Sequence, residues 1–513
     1  MNWSRTLSGY LAASVVCCLS TLVHADQFVT GWQIQPAKDV AALPGDSDWA
    51  KLPVGESDPH NNSQYDWRHL SFDKSEISWA KVRRGDVHRL WWKADFDLQK
   101  SDHDKRVFVD FAQIQGDAIV FCNGKRITEL QRPGGQVELT QHITTGPTQQ
   151  LLVYITRDYA GISRNFEQDV LRYHARQLRR EIPMSQWAMG ITGPVTVTTI
   201  PNTTGITDLY AKCDWDTRTL AIDVETDTLH TLGNAIFSAV IRDQAGKVAL
   251  QFDSSPLPIK PGVQTHTITS KWENPIGWQI DAPYLYTMQV SIKQNNNTID
   301  TSAPQSFGFR DLKTVDREIH INGIKTRLRT SSFVGGKTYA DVAFMRMMGY
   351  NFFYIQPNPT GWWQNWSETR LYSNDYLQYA DQTGTGLSLP IPGVDHLRGT
   401  LLEDEAVKEA YVKEQQAFVR RYRGHPSVLF WTVGMNTMNP QDAIHPLPMG
   451  QRVDYSHPMA DVIKFASQTA KAVDPNTLVY SHADGNQGDL STSNLYTNFA
   501  PLQGREDWPM YYA

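Results

Sequence analysis

Apolar and polar residues follow two different periods in this chain, with the change near residue 312. Before it, short alternating runs rich in β-branched and aromatic residues are separated by Gly, Asn and Pro. Examples are LWWKADFDL (90–98), RVFVDFA (106–112), DAIVFCNGKRI (117–127) and QLLVYITR (150–157). Such runs predict antiparallel strands of an all-β sandwich, and the Asn-Gly of CNGK predicts a tight hairpin turn. A stretch at 166–182, FEQDVLRYHARQLRREI, has helical composition. The strand rhythm resumes over 204–309 with TLAIDVET, AIFSAVIRD and YLYTMQVSIK. About 100 residues in roughly seven short strands predict an immunoglobulin-like β-sandwich. QNNNT (294–298) reads as a loop tip, and its Asn297-Thr298-Ile299 is no glycosylation sequon.

After residue 312 helical spacing alternates with wholly apolar runs. TYADVAFMRMMG places Val342, Met345 and Met348 at helical intervals, and NFFYI (351–355) reads as a buried strand. LSLPI (387–391) is the next strand. EAVKEAYVKEQQAFVRRY sets Val407, Ala410, Tyr411 and Phe418 on one helical face before the apolar VLFWTV (428–433). ADVIKFASQTAKAV aligns Val462, Ala466 and Val473, and a strand follows in DPNTLVYSHA. Apolar strands alternating with amphipathic helices predict parallel βα units with both sheet faces covered. With SNLYTNF (493–499) they make about six strands of a (β/α)8 TIM barrel, which needs eight.

Composition refines this picture. At 513 residues the chain is too long for one core. Sixteen Trp and 21 Tyr suit large β cores or surfaces that stack on flat ligands. The net charge of −6, without a basic tract, excludes nucleic acid as an expected partner. Arg5, an apolar stretch from Leu7 to Leu22 and small residues before Asp26 predict a secretory signal peptide over 1–25, cleaved after Ala25. The protein is therefore expected to be secreted or periplasmic, with no membrane association in its mature form. A membrane anchor is the alternative, but the run is short and Ser-interrupted for a bilayer of about 30 Å. Cys17 and Cys18 leave with the signal, and Cys122 and Cys213 are expected as buried thiols in different domains. His445, His457 and His482 with Asp442 and Asp454 fit no metal-ligand spacing. Neither a metal nor a cofactor is expected.

Several motifs together resemble glycoside hydrolase family 2. FCNGKRI and WAMGITGPVTV are similar to segments of its jelly-roll sugar-binding domain. WQIDAPYLYTMQV and FGFRDL are similar to its immunoglobulin-like domain. IHINGIKTRLRT, MRMMGYNFFYIQP, YADQTGTGLSLP and RRYRGHPSVLFWTVGMN resemble its first four barrel strands. The resemblance implies a jelly-roll β-sandwich over 26–202, an immunoglobulin-like sandwich over 203–311 and a partial TIM barrel over 312–513. It also implies a carbohydrate substrate.

A retaining glycosidase needs two carboxyl groups about 5–5.5 Å apart, one to protonate the leaving oxygen and one to attack the anomeric carbon. The resemblance places the family's acid/base Glu, and the Asn before it, on Asn436 and Met435. Sliding by one residue puts them on Thr437 and Asn436. Neither register supplies a carboxylate. The family's nucleophile, a Glu ending strand seven, lies past the MYYA terminus, so the chain reads as C-terminally truncated and inactive alone. Where the family ends strand two with an Arg-x-x-His-like sequence, this chain has Tyr354, Ile355, Gln356 and Pro357; Tyr354 and Gln356 are candidate substrate contacts.

Asp484 is a candidate substitute acid tuned by His482, with Asp489 nearby; an Asp-Gly turn with a solvated carboxylate is the other reading. Asn494 and Tyr496 match the family's pocket-lining Asn-x-Tyr. Trp362, Trp363 and Trp366 read either as a sugar-stacking platform or as cover for the barrel mouth, and Trp431 reads as barrel core. The leading expectation is a secreted glycoside hydrolase acting on O-glycosidic bonds of a poly- or oligosaccharide. The alternative is a non-catalytic carbohydrate-binding protein on a glycosidase scaffold.

Overall fold

The computed structural model describes residues 27–37, 43–52, 89–112, 114–115, 117–130, 134–156, 190–191, 195–316, 318–331, 339–354, 374–391, 402–403, 405–435, 458–482 and 488–490. The helical stretch expected at 166–182, the signal peptide and the sixth strand at 493–499 lie outside these residues. Among the described residues no helix is long and apolar enough to cross a membrane.

In the N-terminal region two antiparallel sheets close on one core, beside a two-stranded pair of Ile114–Gln115 with Gly190–Ile191. Arg89–Asp97, Thr148–Thr156 and Asp117–Cys122 neighbour one another in a six-stranded sheet, while Lys105–Phe111 pairs with Val195–Pro201 in a four-stranded one. Alternation decides what is buried: Trp92, Ala94 and Phe96 share a core with Val107, Val109 and Phe111 of the other sheet. The predicted hairpin turn is present, with φ of 50° at Asn123 and 75° at Gly124, the left-handed pair a type I′ turn requires. Asn123 also braces its surroundings, donating to His142 O and Gln149 Oε1.

The second region repeats the plan. Thr204–Asp214, Thr219–Thr228 and Gly262–Lys271 form one sheet, and Gly233–Arg242 and Tyr286–Gln294 centre the other. Leu220, Ile222, Val224, Phe237, Ala239, Val290 and Ile292 fill the space between them. Asn295 and Asn296 make the expected loop tip, both with positive φ. Cys122 lies in the first core and Cys213 in the second, as buried free thiols.

The third region alternates strand and helix: β1 (Thr330–Ser331), α1 (Tyr339–Met347), β2 (Phe352–Tyr354), α2 (Asn374–Thr383), β3 (Gly386–Pro390), α3 (Glu405–Tyr422), β4 (Val428–Met435), α4 (Pro458–Lys471) and β5 (Leu478–His482). The strands form one parallel sheet in the order β1-β2-β3-β4-β5. One face is covered by helices, with Phe353, Leu389, Trp431, Val433 and Val479 packing among Tyr411, Phe418, Val462 and Ala466. Met345 packs against this core, whereas Met348 falls past the end of α1 and is exposed. The Asn322-Gly323 turn belongs to an antiparallel hairpin, Glu318–Ile321 with Ile324–Lys325, that precedes β1, so the segment resembling the first barrel strand is mostly this hairpin and reaches only the start of β1.

Candidate functional site

The second region forms the floor on which the parallel strands stand. On the sheet face away from the helices, Phe352, Phe430 and Leu478 pack with Trp278, Leu312 and Ile321. Arg310, at the exit from the second region, donates to Pro426 O, Val428 O and Thr477 Oγ1, holding the starts of β4 and β5. Buried Asn322 accepts from Asp311 N at 2.7 Å and donates to Trp278 O and Phe309 O at 3.0 Å each. Burying an amide is tolerable because each of its polar atoms is paired.

Asp474, fully buried between α4 and β5, fixes both regions at once. Its oxygens accept from Tyr210 OH at 2.6 Å and Trp431 Nε1 at 2.8 Å. Burial, followed by the neighbouring Asp474 charge and hydrogen bond, pushes the Tyr210 phenol well above its ordinary pKa, so it stays a proton donor. Trp431 is thus core, as read from the sequence, but on the helix-covered side of the sheet, its ring 6.2 Å from that of Phe418.

Above the apolar floor lies a buried layer of hydroxyls. Ser388 Oγ sits 2.8 Å from both Thr432 Oγ1 and Tyr480 OH, joining β3, β4 and β5. Burial raises the Tyr480 pKa, partly offset by the neighbouring Ser388 and Thr432 hydroxyls. The phenol is therefore neutral at physiological pH. These three residues were missed in the sequence reading; their signal was a hydroxyl-bearing side chain within each of the runs LSLPI, VLFWTV and LVYSH.

Immediately beyond this layer the strands reach their carboxyl ends. A bulge at Val433 separates the pairs Thr432–Tyr480 and Gly434–Ser481, and the last residues of β4 and β5, Met435 and His482, stand opposite each other. Bulges at such edges re-aim the residues that follow. Asn436 is the next residue in the chain after Met435, and Tyr354 ends β2 at the same edge of the sheet. Asn436, Asp484, Gln356, Trp363, Asn494 and Tyr496 themselves lie outside the described residues, as do Trp362, Trp366 and Thr437.

Asp489 takes a place the sequence did not suggest. Its carboxylate accepts from Val479 N at 2.8 Å and pairs with Lys471 Nζ at 2.7 Å, while Gly488 bridges antiparallel to Tyr480. The chain folds back along β5, and this acid ties the end of α4 to the strand instead of serving the rim. Among the described residues, Asp214, Asp216 and Asp311 gather carboxylate oxygens within 4.8 Å of one another. Lys313 Nζ already stands 2.8 Å from Asp216 and 2.7 Å from Asp311, so an ammonium balances the cluster.

The family model described as Glycosyl hydrolases family 2 matches residues 204–310, the second region. Over 404 residues the chain is 22% identical to a beta-galactosidase of Halalkalibacterium halodurans, covering 75% of this chain and 35% of that protein. It is 23% identical over 394 residues to a beta-glucuronidase of Formosa agariphila, covering 72% of this chain and 37% of that one. Among solved structures, Bacteroides uniformis beta-glucuronidase superposes with a TM-score of 0.66 at 17% identity, over 95% of this chain and 57% of that chain. A glycosyl hydrolase family 2 member from Bacteroides cellulosilyticus gives 0.64 at 14% identity, over 95% and 62%. The chain therefore spans little more than a third of the length of these two curated relatives.

Proposed function

We propose that the chain is a divergent member of glycoside hydrolase family 2 and that the protein acts on O-glycosidic bonds of an oligo- or polysaccharide, with Asn436 in the acid/base position. In this reading the three regions are a jelly-roll sandwich, an immunoglobulin-like sandwich and part of a (β/α)8 barrel. Residues 1–25 export the protein to where extracellular or periplasmic glycans are found. The observation that carries the reading is the end of β4: its last residue, Met435, faces His482 at the carboxyl edge of a parallel sheet, and Asn436 follows directly. That edge is where βα barrels keep their chemistry.

An amide offers a donor and an acceptor to a sugar hydroxyl but no transferable acid proton. Leaving-group protonation, a contribution of about 10²–10⁴-fold, is therefore lost at this position. Substrates whose leaving groups need no protonation are the ones cleaved. Dinitrophenyl glycosides then turn over at least about 10²-fold faster than alkyl glycosides, and Asn436→Glu narrows that gap. A wild-type protein that cleaves both kinds equally well has its acid elsewhere, and the assignment of Asn436 fails. The amide also motivates a second reading, a carbohydrate-binding protein without turnover. Saccharide binding with no hydrolysis of either substrate, unchanged by Asn436→Glu, decides for it.

A further inference from the structure

A small, partly open cavity lies between the second region and the base of the parallel sheet, away from the strands' carboxyl ends. Tyr210, Gln305 and Arg310 line it from one side and Arg423, Gly424 and Asn476 from the other. Two features of its wall lack a counterpart. The Arg423 guanidinium, stacked 4.2 Å from the Tyr210 ring centre, donates to Val473 O and Asp208 Oδ2, yet its buried Nε–H has no acceptor. Arg310, also buried, donates only to neutral oxygens in its assigned bonds, and no carboxylate among the described residues pairs with it. Asp474, the nearby fully buried acid, does not line the cavity and is engaged by Tyr210, Trp431 and Asn476. A buried cation without a facing negative charge is unfavourable, and so is a buried N–H without an acceptor.

We propose that this cavity is a halide site, holding one chloride ion against Arg423 Nε and within the field of Arg310. Size selects the ligand. The free volume open to a water-sized particle is about 20 Å³, against roughly 10–15 Å³ needed for a single water. One monatomic ion matches this volume better than sulfate, phosphate or a carboxylate does. Water of the same size would accept from the orphaned N–H, but it would bring no negative charge to a wall whose charged side chains are both arginines. The ion acts as a staple between the two regions, because the residues that hold it come from both. This inference does not rest on the glycosidase reading, and its test involves no sugar.

The test uses the wild-type protein first. Crystals soaked in bromide should show an anomalous peak in contact with Arg423 Nε. At constant ionic strength, exchanging gluconate for chloride from about 1 mM to about 100 mM should raise the thermal midpoint by about 2–5 °C, since a ligand bound only by the folded state stabilises it by mass action. Gln305→Glu, which puts a fixed carboxylate on the cavity wall at nearly constant shape, should abolish both the peak and the chloride dependence. An ordered water in place of bromide, or equal midpoints in gluconate and chloride for the wild type, overturns the proposal. So does a Gln305→Glu protein that folds and keeps the full chloride dependence.

Discussion

Replacing Asp474 by Ala tests whether the base of the parallel sheet is held by one buried carboxyl group. The side chain is fully buried, and it accepts from Tyr210 OH at 2.6 Å, Trp431 Nε1 at 2.8 Å and Asn476 N at 3.2 Å. Alanine leaves the phenol and the indole N–H without acceptors, and both residues are almost wholly inaccessible to water. Each orphaned donor costs about 1–3 kcal/mol, so the expected loss is about 3–5 kcal/mol. Asp474→Asn keeps one oxygen for the indole and an amide that can donate to the phenol oxygen, and should lose only about 1–2 kcal/mol. Urea unfolding followed by tryptophan fluorescence gives both values, each region's transition being fitted separately because a chain of this size does not unfold in two states. A double-mutant cycle sharpens the test. In a Tyr210→Phe background no phenol remains to be orphaned, so Asp474→Ala should cost about 1–2 kcal/mol less than in the wild type. Additive effects, or a loss below about 1 kcal/mol for Asp474→Ala alone, would refute the reasoning.

Three further outcomes follow from the same geometry. Tyr480→Phe removes one bond of the hydroxyl layer beneath the rim and should cost about 1 kcal/mol, while Ser388→Ala, which breaks both of its bonds, should cost more; equal losses in denaturant titrations would contradict the shared role of Ser388. Hydrogen bonding to Arg106 holds the Glu138 carboxyl below its ordinary value of 4.5. The stability it contributes is present above pH 4.5 and is lost as pH falls toward the lowered native value, so Glu138→Gln should flatten the acid side of a stability–pH profile and leave its alkaline side unchanged. Burial pushes the Cys122 thiol up to about 11 and the Cys213 thiol up to about 12. Mass-mapped alkylation at pH 8 should label neither until denaturant is added, and labelling of the native protein at the rate of a free thiol would count against that burial.

Where periodicity was strong, the chain could be read locally. The 18 residues of EAVKEAYVKEQQAFVRRY form α3 with the expected bounds, and TLAIDVETDT alternates partly and fully buried positions along one strand. Met348 departs because the helix stops one residue earlier, at Met347, just ahead of Gly349 with its φ of 91°. The site was legible only in part. The apolar run VLFWTV marked the strand that leads to Asn436, yet Asp489, read as a rim acid, is spent on Val479 and Lys471. No local pattern distinguishes a carboxylate that faces solvent from one turned back on its own strand.

By itself the sequence determined the kinds of element, their order and the two thiols' confinement to separate cores, because these depend on contacts between residues two to four apart or on composition. Tertiary structure alone decided which polar residues meet. Tyr210 and Asp474 are 264 positions apart, and Arg310 reaches Thr477 across 167. Such pairs exist only once two separately patterned regions have docked, and docking depends on surface shape and on burying every donor with an acceptor, neither of which has a period along the chain.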